Sequence, residues 1–140
     1  AIAEHVGQDL LSLTSNVIVE NGGDIFLSCK EEVKIGIFAG TSPLSHRLAI
    51  RIRPAETPAG VCTSSATVGP SLSFGAADAV CVKSRSASLA DAAATAIGNR
   101  VKTKKDLKRA LTFGARIRGV LGILIIIGDE LGAWGELELI

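Results

Sequence analysis

Methionine is absent from these 140 residues, and reactive or aromatic side chains are scarce: two His, three Cys, one Trp and four Phe. Cys29, Cys62 and Cys81 are an odd number at wide spacing, with no CxxC pair. That excludes a dense disulfide framework and a cysteine–histidine zinc module, and it fits a reducing compartment. Long apolar runs are missing too. The longest, Val120 to Ile127, lies between Gly119 and Gly128, against about 20 residues for a membrane-spanning helix. Despite a mean hydropathy of +0.38, it reads as a buried strand. Neither sign of charge dominates: the net charge is +1, which by itself indicates neither a nucleic-acid nor a membrane partner. No charged-then-apolar opening resembles a secretion signal. Because the chain begins at Ala1 and lacks methionine, further sequence is expected before it; the expected location is the cytoplasm.

What is present suffices for a packed core. Hydrophobic residues make up 47% and charged residues 21%, as in one globular domain over residues 1–140. Ile2, Val6, Leu10 and Leu13 recur at helical spacing and mark an amphipathic helix that the Thr14-Ser15-Asn16 cluster ends. Val17-Ile18-Val19 and Ile25-Phe26-Leu27 flank Asn21-Gly22-Gly23-Asp24, a hairpin signature because Asn and Gly tolerate positive φ. Strands are predicted at Val33 to Phe38, Leu48 to Arg53, Ala79 to Lys83, Ile123 to Ile127 and within Leu131 to Ile140, with a turn at Gly128-Asp129. Two helices separate the later strands. Ser88 with Asp91 and Thr103 with Asp106 have capping-box spacing, and Gly98-Asn99 supplies a stop. Hairpin-spaced strands with grouped helices predict an α+β fold: an antiparallel or mixed sheet packed with helices.

Three segments carry candidate chemistry. In Ala90-Asp91-Ala92-Ala93-Ala94-Thr95-Ala96, helical spacing places a carboxylate and a hydroxyl on one face among small residues. Two hard oxygens beside open space suit magnesium; the commoner arrangement for such spacing is that Asp91 caps the helix with Ser88 and Thr95 bonds back to its own helix. Gly22 and Gly23 let a backbone approach a phosphate or ring closely, or serve as an ordinary turn. Thr63, Ser64, Ser65 and Thr67 either line a polar pocket or form a plain Ser/Thr strand. Nucleophilic duty is disfavoured because Ser64 has no GxSxG setting and the histidines are His5 and His46. Residues 100–118 hold eight Lys or Arg and one Asp. With no aromatics interleaved among Lys104, Lys105, Lys108 and Arg109, this reads as a solvated face or an acidic-partner contact rather than a nucleic-acid track.

In order, Asn21-Gly22-Gly23-Asp24-Ile25, Thr63-Ser64-Ser65 and the Asp91-x-x-x-Thr95 helix resemble the ApbE-like family, the FAD:protein FMN transferases. Gly60-Val61-Cys62-Thr63-Ser64-Ser65, Ser71-Leu72-Ser73-Phe74-Gly75 and Asn99 are similar to an uncharacterised ApbE-related branch of bacteria and archaea. The resemblance covers essentially the whole chain and implies the C-terminal part of the ApbE-like domain. It implies a flavin-nucleotide (FAD) cavity with contributions from Asn21, Gly22, Gly23, Asp24, Thr63, Ser64 and Ser65. It further implies Mg2+ held by Asp91 and Thr95 with a backbone carbonyl, and transfer of FMN to a threonine of a protein acceptor. The sequence departs from the pattern at Ser65, where the transferases have Gly, and at Gly69-Pro70-Ser71, where the branch has His. The alternative expectation is a non-catalytic nucleotide binder or structural homo-oligomer of the same fold.

Overall fold

The computed structural model describes residues 1–69 and 73–140. Three helices, α1 (Ile2–Leu10), α2 (Ala87–Gly98) and α3 (Leu107–Ala115), accompany nine strands among the described residues. The strands are β1 (Val17–Asn21), β2 (Asp24–Ser28), β3 (Val33–Gly36), β4 (Ala49–Ile52), β5 (Ala59–Ser64), β6 (Ala79–Ser84), β7 (Val120–Ile127), β8 (Glu130–Gly135) and β9 (Glu138–Leu139). A six-stranded sheet runs β1-β2-β5-β6-β7-β8 and a three-stranded sheet runs β3-β4-β9. Every ladder is antiparallel. The fold is α+β, and of the two predicted sheet types the antiparallel one is realised.

The large sheet is covered on both faces, which explains why its central strands are near-continuous apolar runs. Cys62, Val80, Val82, Ile123 and Ile125 pack with the buried side of the helices. Their alternating neighbours Val61, Ala79, Cys81, Leu124 and Ile126 pack with Ile50 and Ile52 of the small sheet. Burial of one such side chain contributes about 1.5–3 kcal/mol. Two cores, one per face, therefore hold β5, β6 and β7 together, with the β6–β7 register shifting at an irregularity between Lys83 and Ser84.

Small residues bring the helices close to the sheet. In α2 the buried face is Ala87, Ala90, Ala93, Ala94 and Ile97. A Cβ on Gly60 of β5 would fall 2.3 Å from the Ala87 Cα, so only glycine fits beneath the first turn.

Helix α1 forms as the spacing predicts but presents its other side. The buried positions are Ala3 and Gly7, while Ile2, Val6, Leu10 and Leu13 are exposed. The reason is the close approach to β2: a Cβ on Gly7 would lie 2.0 Å from the Phe26 ring. Large residues have no room on that side, so the periodic stripe turns outward.

The cap of α2 also differs from the predicted one. Ser86 is the N-cap, its Oγ accepting from the Leu89 amide at 3.2 Å. Glu4 of α1 accepts from the Ser88 amide at 2.7 Å and the Ser86 hydroxyl at 3.0 Å. Ser88 thus lies inside the helix, and the Ser88–Asp91 box does not form because Glu4 serves the amide concerned. In the 3-10 turn Lys104–Asp106 that leads into α3 the predicted acid does act, Asp106 Oδ2 accepting from the amides of Lys102 and Thr103.

Candidate functional site

The Asn21-Gly22-Gly23-Asp24 segment is the two-residue hairpin its sequence predicts. Asn21 pairs with Asp24, and Gly22 and Gly23 take φ of 61° and 97°, the signs a type I′ turn requires. The turn sits against β5: the Thr63 amide donates to the Gly23 carbonyl at 3.0 Å. A Cβ on Gly23 would lie 3.2 Å from the Thr63 carbonyl oxygen. Antiparallel register then sets Asp24 opposite Cys62, on the helix-covered side with Phe26.

Asp91 reaches the same place from α2. Burial, followed by the like charge of Asp91, pushes the Asp24 carboxyl above the usual aspartate range. Cys62 lies between strand and helix, fully buried, its Sγ donating to the Ala87 carbonyl at 3.2 Å. Burial, then the charge of Asp24, drives this thiol far up, so it is a packed core group and not a nucleophile. Among the described residues, neither the Asp91 carboxylate nor the exposed Thr95 hydroxyl takes part in a side-chain hydrogen bond. Both oxygens predicted as ligands therefore remain available.

The Ser/Thr segment divides between the two faces. Ser64 faces α2, its Oγ 3.9 Å from where a Cβ on Gly98 would stand. Thr63 points to the opposite face, towards Cys81, whose thiol burial raises to about 11. Ser65 Oγ accepts from the amides of Thr67 and Val68 at 3.1 and 2.9 Å, holding the bend after β5. The three predicted segments thus meet at one end of the sheet. Asp24, Ser64, Asp91 and Thr95 lie on the helix side; Thr63 and Ser65 are directed elsewhere.

Asn99 fastens the segment that leads into β6. Its Oδ1 accepts from the Phe74 amide at 3.1 Å, and the Ala76 amide donates to the Val101 carbonyl at 2.7 Å. A Cβ on Gly75 would lie 2.0 Å from the Gly98 carbonyl oxygen. These contacts explain physically why Gly75 and Asn99 occur together. Pro70, Ser71 and Leu72 lie outside the described residues.

Sequence reasoning missed Asp78. This buried carboxylate accepts from the Gly128 amide at 2.7 Å and from the Thr67 hydroxyl at 3.2 Å. It fastens the bend after β5 to the β7–β8 turn. The available signal was a lone acid between Ala77 and Ala79 at the head of an apolar strand; a solitary charge in such a run needs fixed partners.

Among the described residues no group of three or more His, Cys, Asp or Glu gathers as a metal centre. A cation at Asp91 would rest on two carboxylates at most, with hydroxyl and backbone oxygens, a donor set for a hard cation rather than zinc. Two shallow grooves, of about 510 and 350 Å³, lie elsewhere, along α3 and β8. No described helix is long and apolar enough to cross a membrane.

The chain is 53% identical over 125 residues to the UPF0280 protein of Methanoculleus marisnigri, covering 86% of this chain and 48% of that protein. To the UPF0280 protein of Methanocaldococcus jannaschii it is 42% identical over 142 aligned positions, covering 98% of this chain and 57% of the relative. The chain spans about half the length of the curated relatives it matches. The family model described as "AbpE bacteria" matches residues 1–133, and the chain belongs to that family.

Proposed function

We propose that this chain supplies the cation-bearing side of a flavin-nucleotide site, with Asp91 and Thr95 holding Mg2+ and the Gly22-Gly23 turn admitting FAD. The observation that carries the reading is the like-charge influence of Asp91 on Asp24, two carboxylates from different elements. Burial, then that charge, holds the Asp24 carboxyl above its usual range although the N-terminal ammonium acts the other way. Among the described residues neither carboxylate forms an ion pair with Lys, Arg or His. A divalent cation removes that repulsion and leaves coordination positions for phosphate oxygens and water. The donor chemistry fits magnesium, because the oxygens are hard and the neighbouring thiol of Cys62 is directed to a carbonyl.

Each protein group has a definable part. Asp91 gives charge, Thr95 a neutral oxygen one helical turn on, and Asp24 a second carboxylate held by its strand. The glycine turn exposes main chain without side chains, and Ser64 offers a hydroxyl on the same face. When bound, magnesium neutralises pyrophosphate charge, the main requirement of phosphoryl-type transfer. The activity such a site serves is delivery of FMN to a threonine of an acceptor protein.

Isothermal titration of the chain with FAD, with and without magnesium, tests the reading. Magnesium-dependent FAD binding that Asp91→Asn abolishes is the expected result. Magnesium-independent binding, or binding unaffected by that change, rejects the assigned cation site. Transfer is read separately: flavin label on a threonine-bearing acceptor supports it, and tight binding without label favours the non-catalytic binder. The main-chain engagement of Ser65 favours this second reading, since its hydroxyl serves the bend rather than a ligand.

A further inference from the structure

The groove between α3 and β8 combines features that the proposed cation site leaves unused. Among the described residues, strand β8 is the outermost strand of the large sheet and pairs only with β7. Half of its amides and carbonyls therefore face away from the sheet. Exposed edges are ordinarily blunted by Lys, Pro or a covering element. Glu130-Leu131-Gly132-Ala133-Trp134-Gly135 contains neither Lys nor Pro.

Beside this edge runs a cationic stripe. Lys105, Lys108 and Arg116 line the grooves along α3, and among the described residues none of the three has an ion-pair partner. Other cations nearby are engaged: Lys104 with Asp129, Arg109 with Asp106, and Arg100 over the Phe113 ring at 3.5 Å. The stripe from Lys105 to Arg116 spans about 16 Å of helix, the length of about five extended residues. Leu111, Ala115 and Trp134 supply an apolar strip between the charges and the strand.

We propose that this groove receives an extended acidic peptide segment of a partner protein, which adds to the sheet as a strand beside β8. Its main chain would satisfy the open edge of β8, its carboxylates would meet Lys108 and Arg116 on the α3 side beside Trp134, and its alternate apolar side chains, directed to the other face, would cover the exposed Leu131. This is strand addition, in which backbone bonding supplies affinity and side chains supply selection. A nucleic-acid strand fits worse, because it cannot complete a β ladder and the Phe113 face is already occupied by Arg100. A second copy of this chain fits worse as well: two-fold pairing of β8 edges sets two α3 stripes side by side on one face, cation against cation.

Trp134 is the only tryptophan, so its fluorescence reports the site directly. The probe is an end-blocked octapeptide alternating glutamate and valine, titrated at low and high salt. Three results are expected together. Trp134 emission changes saturably. The dissociation constant rises about tenfold from about 0.05 to about 0.5 M salt and rises similarly in the Lys108→Glu/Arg116→Glu variant. One of the two peptides N-methylated on alternate amides no longer binds. Lys108→Gln/Arg116→Gln gives a second, milder variant, and thermal melting of each checks the fold. The proposal is overturned by an unresponsive Trp134, or by both methylated peptides binding like the parent. A single-stranded oligonucleotide of equal charge that competes as well as the peptide also overturns it.

Discussion

Lys83 and Glu56 form an ion pair beneath the small sheet: the Lys83 side chain is 2% exposed, the Glu56 side chain 31%. The Lys83 ammonium also donates to the Glu136 carbonyl at 3.0 Å. An acid from the turn before β5 and a carbonyl from the segment after β8 thus converge on one buried cation. Glu56→Gln leaves that charge with weaker partners, and urea unfolding should show a loss of about 2 kcal/mol. Lys83→Met, which removes the charge while retaining volume, is expected to be neutral or stabilising.

The same pair sets an acid sensitivity. Burial opposes ionisation of Glu56, but bonding from Lys83 and from the Arg53 amide outweighs it, so its carboxyl lies below the ordinary value of 4.5. A depressed carboxylate contributes stability that is complete above its unfolded value and lost as pH falls through the folded one. Melting temperature should therefore decline below about pH 4.5. In Glu56→Gln that part of the decline should be missing.

Asp24 has the opposite sign. Its carboxyl is raised by burial and by the charge of Asp91, so its contribution is complete below the ordinary aspartate value and is lost as pH rises through the folded one. Without magnesium, Asp24→Asn should raise stability at neutral pH and flatten the pH dependence above about pH 4. With magnesium the advantage should shrink, because the native pair then holds a cation that the variant holds less well. An Asp24→Asn protein whose melting temperature responds to magnesium as the native chain does would count against shared binding.

How much of this could be read from the chain follows from which residues act locally. The hairpin at Gly22-Gly23 and the turn at Gly128-Asp129 were legible because φ requirements are written into single residues. The α+β class was legible because strands and helices have different periods. The outward stripe of α1 was not: Ile2 and Val6 report a helical period, whereas the choice of face was made by Phe26, a residue on another element. The cap at Ser86 escaped for a similar reason, since Glu4 had already taken the amide that Asp91 would have needed to share. The grouping of Asp24, Ser64 and Asp91 was implied by the family resemblance and not by any local pattern, and only strand alternation separates Thr63 from Ser64. Asp78 carried no motif at all, because its partners are a main-chain amide and a hydroxyl 50 and 11 positions away.

Glycines at close approaches offer a sharper mutational contrast. Gly75→Ala places a methyl 2.0 Å from the Gly98 carbonyl oxygen, and Gly7→Ala places one 2.0 Å from the Phe26 ring. Each should destabilise by about 1–3 kcal/mol. The Gly75 change should cost more, since its obstacle is main chain. At Gly36, where an added Cβ meets nothing within 4 Å, alanine should be neutral or slightly stabilising. Equal effects at all three positions would rule out close approach as the cause.

The cap of α2 separates a structural role from a ligand role for Asp91. Ser86 accepts from the Leu89 amide and donates to Glu4, so Ser86→Ala should cost about 1 kcal/mol. Asp91→Ala removes no capping bond and should cost much less in metal-free buffer. If Asp91 instead serves the helix start, the two substitutions will destabilise alike and magnesium will not distinguish them. If it serves a cation, only Asp91→Ala will erase the rise in melting temperature that added magnesium produces, and Ser86→Ala will retain that rise from a lower baseline.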